Sequence, residues 1–311
     1  MQQHPISLPF RPPAIYTPFK REIRSQRRGK PVTLALGFQC RDGIVLGADS
    51  EISGAISKWS EKKILHFPRL KSHPYFAYAT DDVDFAKNMI DRLKTCIDHA
   101  ERGNSNIVAG LKGELKKIRK EYGRTYPPKE ERPICDLLLV LRKQRLRLFL
   151  LRGVECTPVA QAEYIGIGEP VARSIATPLF NTIFTTPDAG RLAVYVLMQA
   201  KEYVRDVGKR SDVVQIWENP ELSGGDQWWY GQDEVKEMEE DFAAFQKSLQ
   251  PILTGCYFSV FEAEGKDEFR EKLRVFSKAI EVQRRKRIRH AKQLHKRGIG
   301  MKVVLRQRGF L

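Results

Sequence analysis

Eighteen residues constrain this chain more than any others: Thr33-Leu-Ala-Leu-Gly-Phe-Gln-Cys-Arg-Asp-Gly-Ile-Val-Leu-Gly-Ala-Asp-Ser50. Two apolar runs flank Arg41-Asp42-Gly43. Asp-Gly between apolar alternations is a strong hairpin signal, so the stretch predicts two short strands and a tight turn. A carboxylate, Asp49, closes the second strand, and Lys62-Lys63-Ile64 follows. A hydroxyl (Thr33), a carboxylate (Asp49) and an amine (Lys63) are therefore expected on adjacent strands of one small sheet.

The rest of the chain alternates in blocks. Residues 63–67 and 74–79 read as strands. From Asp81 the period becomes helical, with Phe85, Met89, Ile90, Leu93 and Ile97 on one face,. A second helix is expected from about Asn106 to Tyr122. Strands return at Cys135–Leu141 and Leu146–Leu151, and another ends at the turn Gly166-Ile167-Gly168. Two helices follow, one over roughly Pro170–Phe184 and one opening with Thr186 as N-cap and Pro187 at its first position. Asp212–Trp217 reads as a strand. Blocks of strands and paired helices favour an α+β fold, a four-layer αββα sandwich in which two antiparallel sheets lie between helix pairs. A doubly wound parallel sheet would need strict alternation.

Three segments are expected: a basic, Pro-rich leader at 1–32, the sandwich at 33–218, and a helical extension at 219–311 with a basic tail. In the extension, Val235, Met238, Phe242, Phe245 and Leu249 step at helical spacing, as do Phe269, Leu273, Phe276 and Ile280. Trp228-Trp229-Tyr230 reads as a loop cluster that pins the extension to the core.

Charge follows the same division. The chain of 311 residues carries +16, of which residues 1–32 hold +6 and residues 284–311 hold +11, so −1 remains for the body. A neutral body argues against a nucleic-acid enzyme. The tail could meet phosphates, but only Phe310 interleaves aromatics into it, and base stacking is not suggested. A solvated helix end or an acidic partner accounts for the tail better. The five cysteines are scattered without a C-x-x-C pair, and the six histidines lack ligand spacing, so no disulfide framework, metal or cofactor is expected. Cys40 and Cys135 read as buried filler. No long apolar run predicts a membrane span, the start lacks a secretory pattern, and a reducing cytoplasm is the expected compartment.

The chemistry rests on Thr33. A threonine hydroxyl needs a base beside it. An N-terminal threonine would supply its own, a free α-amine with a reference pKa of roughly 7.7–8.0. A nearby lysine cation disfavours the protonated amine, and a carboxylate holds that lysine in place. The residue types alone allow a plainer reading, in which Thr33 is a strand residue, Asp49 a turn former and Lys63 a solvated charge.

The hairpin resembles the start of a mature proteasome β-type subunit: an apolar strand, a Lys/Arg-Asp-Gly turn, a second apolar strand, then Ala-Asp. Tyr164-Ile165-Gly166-Ile167-Gly168 is similar to the glycine turn before the family's third helix, and Arg205-Asp206 to its Arg-Asp. The resemblance covers roughly 33–218. It implies the N-terminal nucleophile fold and a threonine-type peptidase. Thr33 would be nucleophile, Lys63 would tune its amine, Asp49 would hold Lys63, and Asp206 would support Thr33. A backbone amide at Ala77 or Tyr78 would hold the oxyanion. It further implies removal of residues 1–32, a homo-oligomeric ring, an unfolded polypeptide substrate and an unfoldase partner. Val32, Ile167 and Lys209 depart from the pattern of active subunits, which keeps a second reading open: a non-catalytic structural subunit that retains its leader. A third is a nucleic-acid-associated protein acting through its tails.

Overall fold

The computed structural model describes residues 33–53, 58–125, 133–204, 207–208, 210–223 and 225–259, with Arg274 and Arg285. The leader, Asp206, the helix expected at 269–280 and the basic tail lie outside these residues, apart from the two arginines.

The predicted hairpin is present as β1 (Leu34–Gln39) and β2 (Gly43–Asp49), paired with Ala35 opposite Ala48. Alternate β1 residues serve two cores. Leu34, Leu36 and Phe38 join one cluster with the helices, whereas Ala35 joins another between the sheets. Covering both faces is why the run has so few polar positions. The turn differs from the expected one in its cause. Gly43 does not have a positive φ; instead a Cβ there would lie 2.1 Å from the Ile216 carbonyl oxygen of a neighbouring strand. Close backbone approach, not turn geometry, demands glycine.

A ribbon of two three-residue strands follows, β3 (Glu51–Ser53) with β4 (Lys58–Ser60). Next come β5 (Ile64–His66), β6 (Tyr75–Thr80), and the helices α1 (Val83–Arg102) and α2 (Ile107–Thr125). Asp82 caps α1 by accepting the Phe85 N–H at 2.9 Å,. The expected apolar face of α1 is buried at Met89, Ile90, Leu93 and Ile97, and packs with Ile107, Leu111, Leu115 and Ile118 of α2. The chain then forms β7 (Cys135–Arg142), β8 (Leu146–Arg152), β9 (Glu155–Pro158) and β10 (Ala162–Gly166).

Helix α3 (Glu169–Ala176) is shorter than predicted. Pro178 has no N–H to donate to the Ser174 carbonyl, so the helix cannot reach Phe184. Helix α4 (Thr186–Tyr203) starts with Thr185, not Thr186, as N-cap. The Thr185 side chain and Asp188 form a capping box,. Thr185→Ala is therefore expected to cost about 1 kcal/mol, seen as a lowered urea midpoint with an unchanged m-value.

Residues read as an extension complete the first half of the molecule. Strand β11 (Ser211–Trp217) is followed by a helical turn, α5 (Pro220–Ser223), then by β12 (Gln227–Trp229) and the long helix α6 (Gln232–Ser259). The Trp-Trp pair is thus an edge strand on β11 rather than a loop. Tyr230 does pin the segment: it is buried, and its hydroxyl accepts from Gln215 Nε2. On α6, Val235 is buried and Phe242 packs on Tyr195 with ring centroids 5.2 Å apart. Lys201 pairs with Glu239 at 2.6 Å. Phe245, expected on the apolar stripe, is 42% exposed.

Two five-stranded antiparallel sheets result, ordered β10-β1-β2-β11-β12 and β5-β6-β7-β8-β9. Helices α3, α4 and α6 cover the first, and α1 and α2 the second. The third cluster, including Ala35, Ile64, Ala77 and Leu138, fills the space between. This is the αββα sandwich.

Candidate active site

The site forms where β1, β2 and the start of β5 meet. Asp49 ends β2 opposite Leu34, because Ala35 pairs with Ala48 one step earlier. Its Oδ1 accepts the Leu34 N–H at 2.8 Å. Its Oδ2 accepts Lys63 Nζ at 3.0 Å and the Gly208 N–H at 2.8 Å. Asp49 and Lys63 are both fully buried. Lys63 immediately precedes β5, so the ion pair ties the first sheet to the second. Burying two charges is costly unless they are paired and further hydrogen-bonded; here two backbone donors share the carboxylate with the ammonium.

Thr33 is gripped from both sides of one peptide unit. The N–H of the Thr33–Leu34 peptide goes to Asp49, and its carbonyl accepts from the Gly168 N–H at 3.5 Å. Gly166 has φ +100°, and a Cβ there would lie 2.0 Å from the Thr33 oxygen. The glycine turn 166–168 thus positions Thr33 through backbone alone. The Thr33 hydroxyl is buried and makes no hydrogen bond. In this chain Thr33 is still joined to Val32, so its nitrogen is an amide without basicity.

Asp49 thus meets both the Thr33–Leu34 peptide and Lys63, but Lys63 stands at the start of the second sheet and not, as expected, on an adjacent strand of the first. Asp206 lies outside the described residues, although Gly208, two positions on, reaches Asp49. Ala77 sits elsewhere than a free donor would. It is fully buried in β6, between Ile64 of β5 and Leu138 of β7. The Tyr78 N–H bonds the Lys63 carbonyl at 3.1 Å, so alternation turns the Ala77 N–H toward β7. The same alternation turns the Thr80 N–H to the Tyr78 side, past the start of β5. Ala79 lies close to Thr33, as the two flank the point a Gly166 Cβ would occupy, the Ala79 Cβ at 3.1 Å. The Thr80 N–H lies beyond the residues of β6 that pair with β5.

Two further buried hydroxyl residues neighbour Asp49 in the backbone, one across the sheet and one along the chain. Ser211 lies opposite it in the β2–β11 register, and Ser50 follows it; both are buried with unbonded oxygens. Only the pairing of β2 with β11 brings Ser211 opposite Asp49. Asp212, one step along β11, has its carboxyl raised by burial, opposed by the nearby Lys62 and Lys63 cations. Cys40 and Cys135 are buried as expected, and burial raises both thiols, which leaves them unreactive. Among the described residues no group of three His, Cys, Asp or Glu gathers, and no helix is long and apolar enough to cross a membrane.

No family model matches the sequence. The chain is 27% identical to the proteasome subunit alpha of Methanococcus vannielii over 207 residues, 62% of this chain and 76% of that protein. It is 26% identical to the same subunit of Methanococcus maripaludis over 205 residues, 61% and 75% of the two. Among solved structures, Anbu (ancestral beta-subunit) from Yersinia bercovieri superposes with a TM-score of 0.58 at 13% identity, over 70% of this chain and 97% of that one. The helical assembly of the Anbu complex from Pseudomonas aeruginosa gives 0.56 at 12%, over 70% and 96%.

The chain is distantly similar in sequence to proteasome α subunits. Its fold is the proteasome-like N-terminal nucleophile fold. The matched length leaves about 30% of this chain unmatched to the Anbu structure from Yersinia bercovieri.

Proposed function

We propose that the chain is a threonine-type peptidase of the proteasome-like class, active once the Val32–Thr33 bond is cut. The buried Asp49–Lys63 pair beside Thr33 carries this reading. Cleavage would turn the Thr33 amide into an α-amine. That amine would take the proton of Thr33 Oγ1 as the oxygen attacks a peptide carbonyl. Lys63, kept charged by Asp49, would favour the neutral amine. The Thr80 amide is offered as oxyanion donor in place of Ala77, and Asp206 as support for Thr33. Water would then release the acyl group. The substrate is read as unfolded polypeptide, and the assembly as a homo-oligomer, in keeping with the Anbu complex of Pseudomonas aeruginosa.

Intact-mass measurement of the full chain tests this reading. The expected mass is that of residues 33–311, and Thr33→Ala is expected to retain the leader and lose hydrolysis of a fluorogenic peptide by more than a thousandfold, as for loss of a nucleophile. Retention of the leader in the unsubstituted protein under all conditions would replace it with the second reading, a structural subunit. That second reading is favoured by the curated relatives, which are proteasome α subunits, and by Ile167 between the two glycines.

A further inference from the structure

The helix-facing side of the second sheet changes chemistry at its far end. Leu139 and Leu141 of β7, and Phe149 and Leu151 of β8, are buried there beneath α1 and α2. On the same face Arg147 stands directly opposite Leu141, and Lys143 and Arg145 occupy the β7–β8 turn. All three cations are exposed. The helix layer stops short of them, since α1 ends at Arg102 and α2 begins at Ile107. An open cleft of about 780 Å³ separates that helix junction from the hairpin. Its floor includes Ile107, Leu141 and Phe149, and its rim the three cations.

No acidic side chain lines the cleft, and none of the three cations makes an ion pair among the described residues. Two nearby basic residues are matched, Arg92 with Glu114 and Lys112 with Glu155. Three like charges around one hollow repel one another, and an anion there relieves that repulsion. The end of α2 is not the receptor, because Asn106 Oδ1 already accepts the Val108 and Ala109 N–H groups. The volume lies within the roughly 300–1,000 Å³ of ligand clefts. An apolar floor under a cationic rim matches carboxylates flanking an apolar side chain. Bases are a poorer match, because the rim carries no aromatic side chain on which they could stack,.

We infer that this cleft docks an acidic peptide segment of a partner protein, with an apolar residue on Ile107, Leu141 and Phe149 and its carboxylates on Lys143, Arg145 and Arg147. The site lies at the end of β7 away from Cys135, remote from Thr33, and acts whether or not the chain is a peptidase. The test is fluorescence anisotropy on the full chain at about 0.15 M salt, with a labelled peptide of alternating glutamate and leucine. The expected result is saturable binding that falls about tenfold or more in the Arg145→Glu/Arg147→Glu double variant. An Arg285→Glu/Arg287→Glu variant, of equal charge change in the tail, is expected to stay within about twofold. An all-glutamate peptide of equal charge is expected to bind more weakly. Absence of saturable binding, equal loss in both variants, or a single-stranded oligonucleotide that binds through Arg145 and Arg147 while the peptide does not, would each overturn the inference. Unchanged near-ultraviolet dichroism of the double variant confirms that its loss is not unfolding.

Discussion

Asp49→Ala is expected to lower stability by about 3–5 kcal/mol, the range for a buried ion pair stripped of one partner. At this chain size that is on the order of a 10 °C fall in melting temperature. The alanine would leave the Lys63 ammonium and the Leu34 and Gly208 N–H groups in a pocket from which water is excluded. Each orphaned donor keeps its desolvation cost without its bond. Lys63→Met is expected to cost less, because the carboxylate retains two backbone donors. The double variant should then be more stable than the sum of the two single losses predicts, as an uncompensated charge is removed along with its former partner. A double-mutant cycle by urea denaturation measures this coupling, and simple additivity would show that the pair contributes nothing to folding. Each single variant should also retain the leader, since both loosen the Thr33–Leu34 peptide or the ammonium beside it.

Gly166→Ala is expected to be the most damaging substitution outside the ion pair. The added carbon would stand 2.0 Å from the Thr33 oxygen and 2.8 Å from its carbon, both backbone atoms. No flexible side chain can yield there, and φ +100° is itself unfavourable to a residue with a Cβ,. Thr33 must move, or β10 must part from β1. A loss of about 3 kcal/mol or more is expected, as for overpacking combined with backbone strain, together with loss of processing before Thr33. Gly113→Ala is the matched control. In α2 its Cβ would meet nothing within 4 Å, and a gain of about 0.5–1 kcal/mol is expected there. Equal melting temperatures for the two variants would remove the glycine turn from any positioning role.

Much of the scaffold was legible. The hairpin, α1, α2, β7 and β8 each carry enough apolar residues in register for their period to show. The strands missed, β3, β4, β9 and β12, have three or four residues each, too few to establish alternation against loop composition. The apolar pattern that predicts a longer α3 runs on through Phe180, which stacks on Phe38, and Phe184, which packs on Phe180, while Pro178 has already ended the ladder. The cap is Thr185 and not the expected Thr186, a one-residue difference between two threonines that only the Asp188 hydrogen bonds decide.

Local order in the sequence determined the hairpin, the helix faces, and the presence of Thr33, Asp49 and Lys63 within one short span, because periodicity and turn chemistry are properties of near neighbours. Tertiary structure alone decided the rest. Gly208 meets Asp49 across 159 positions, Ser211 lies beside Asp49 through strand pairing, Gly166 touches Thr33 by close approach, and Lys143 and Arg147 stand uncovered because α1 and α2 stop short. Such contacts arise when distant segments surrender chain entropy to bury shared apolar faces, and no spacing along the chain records which segments those will be.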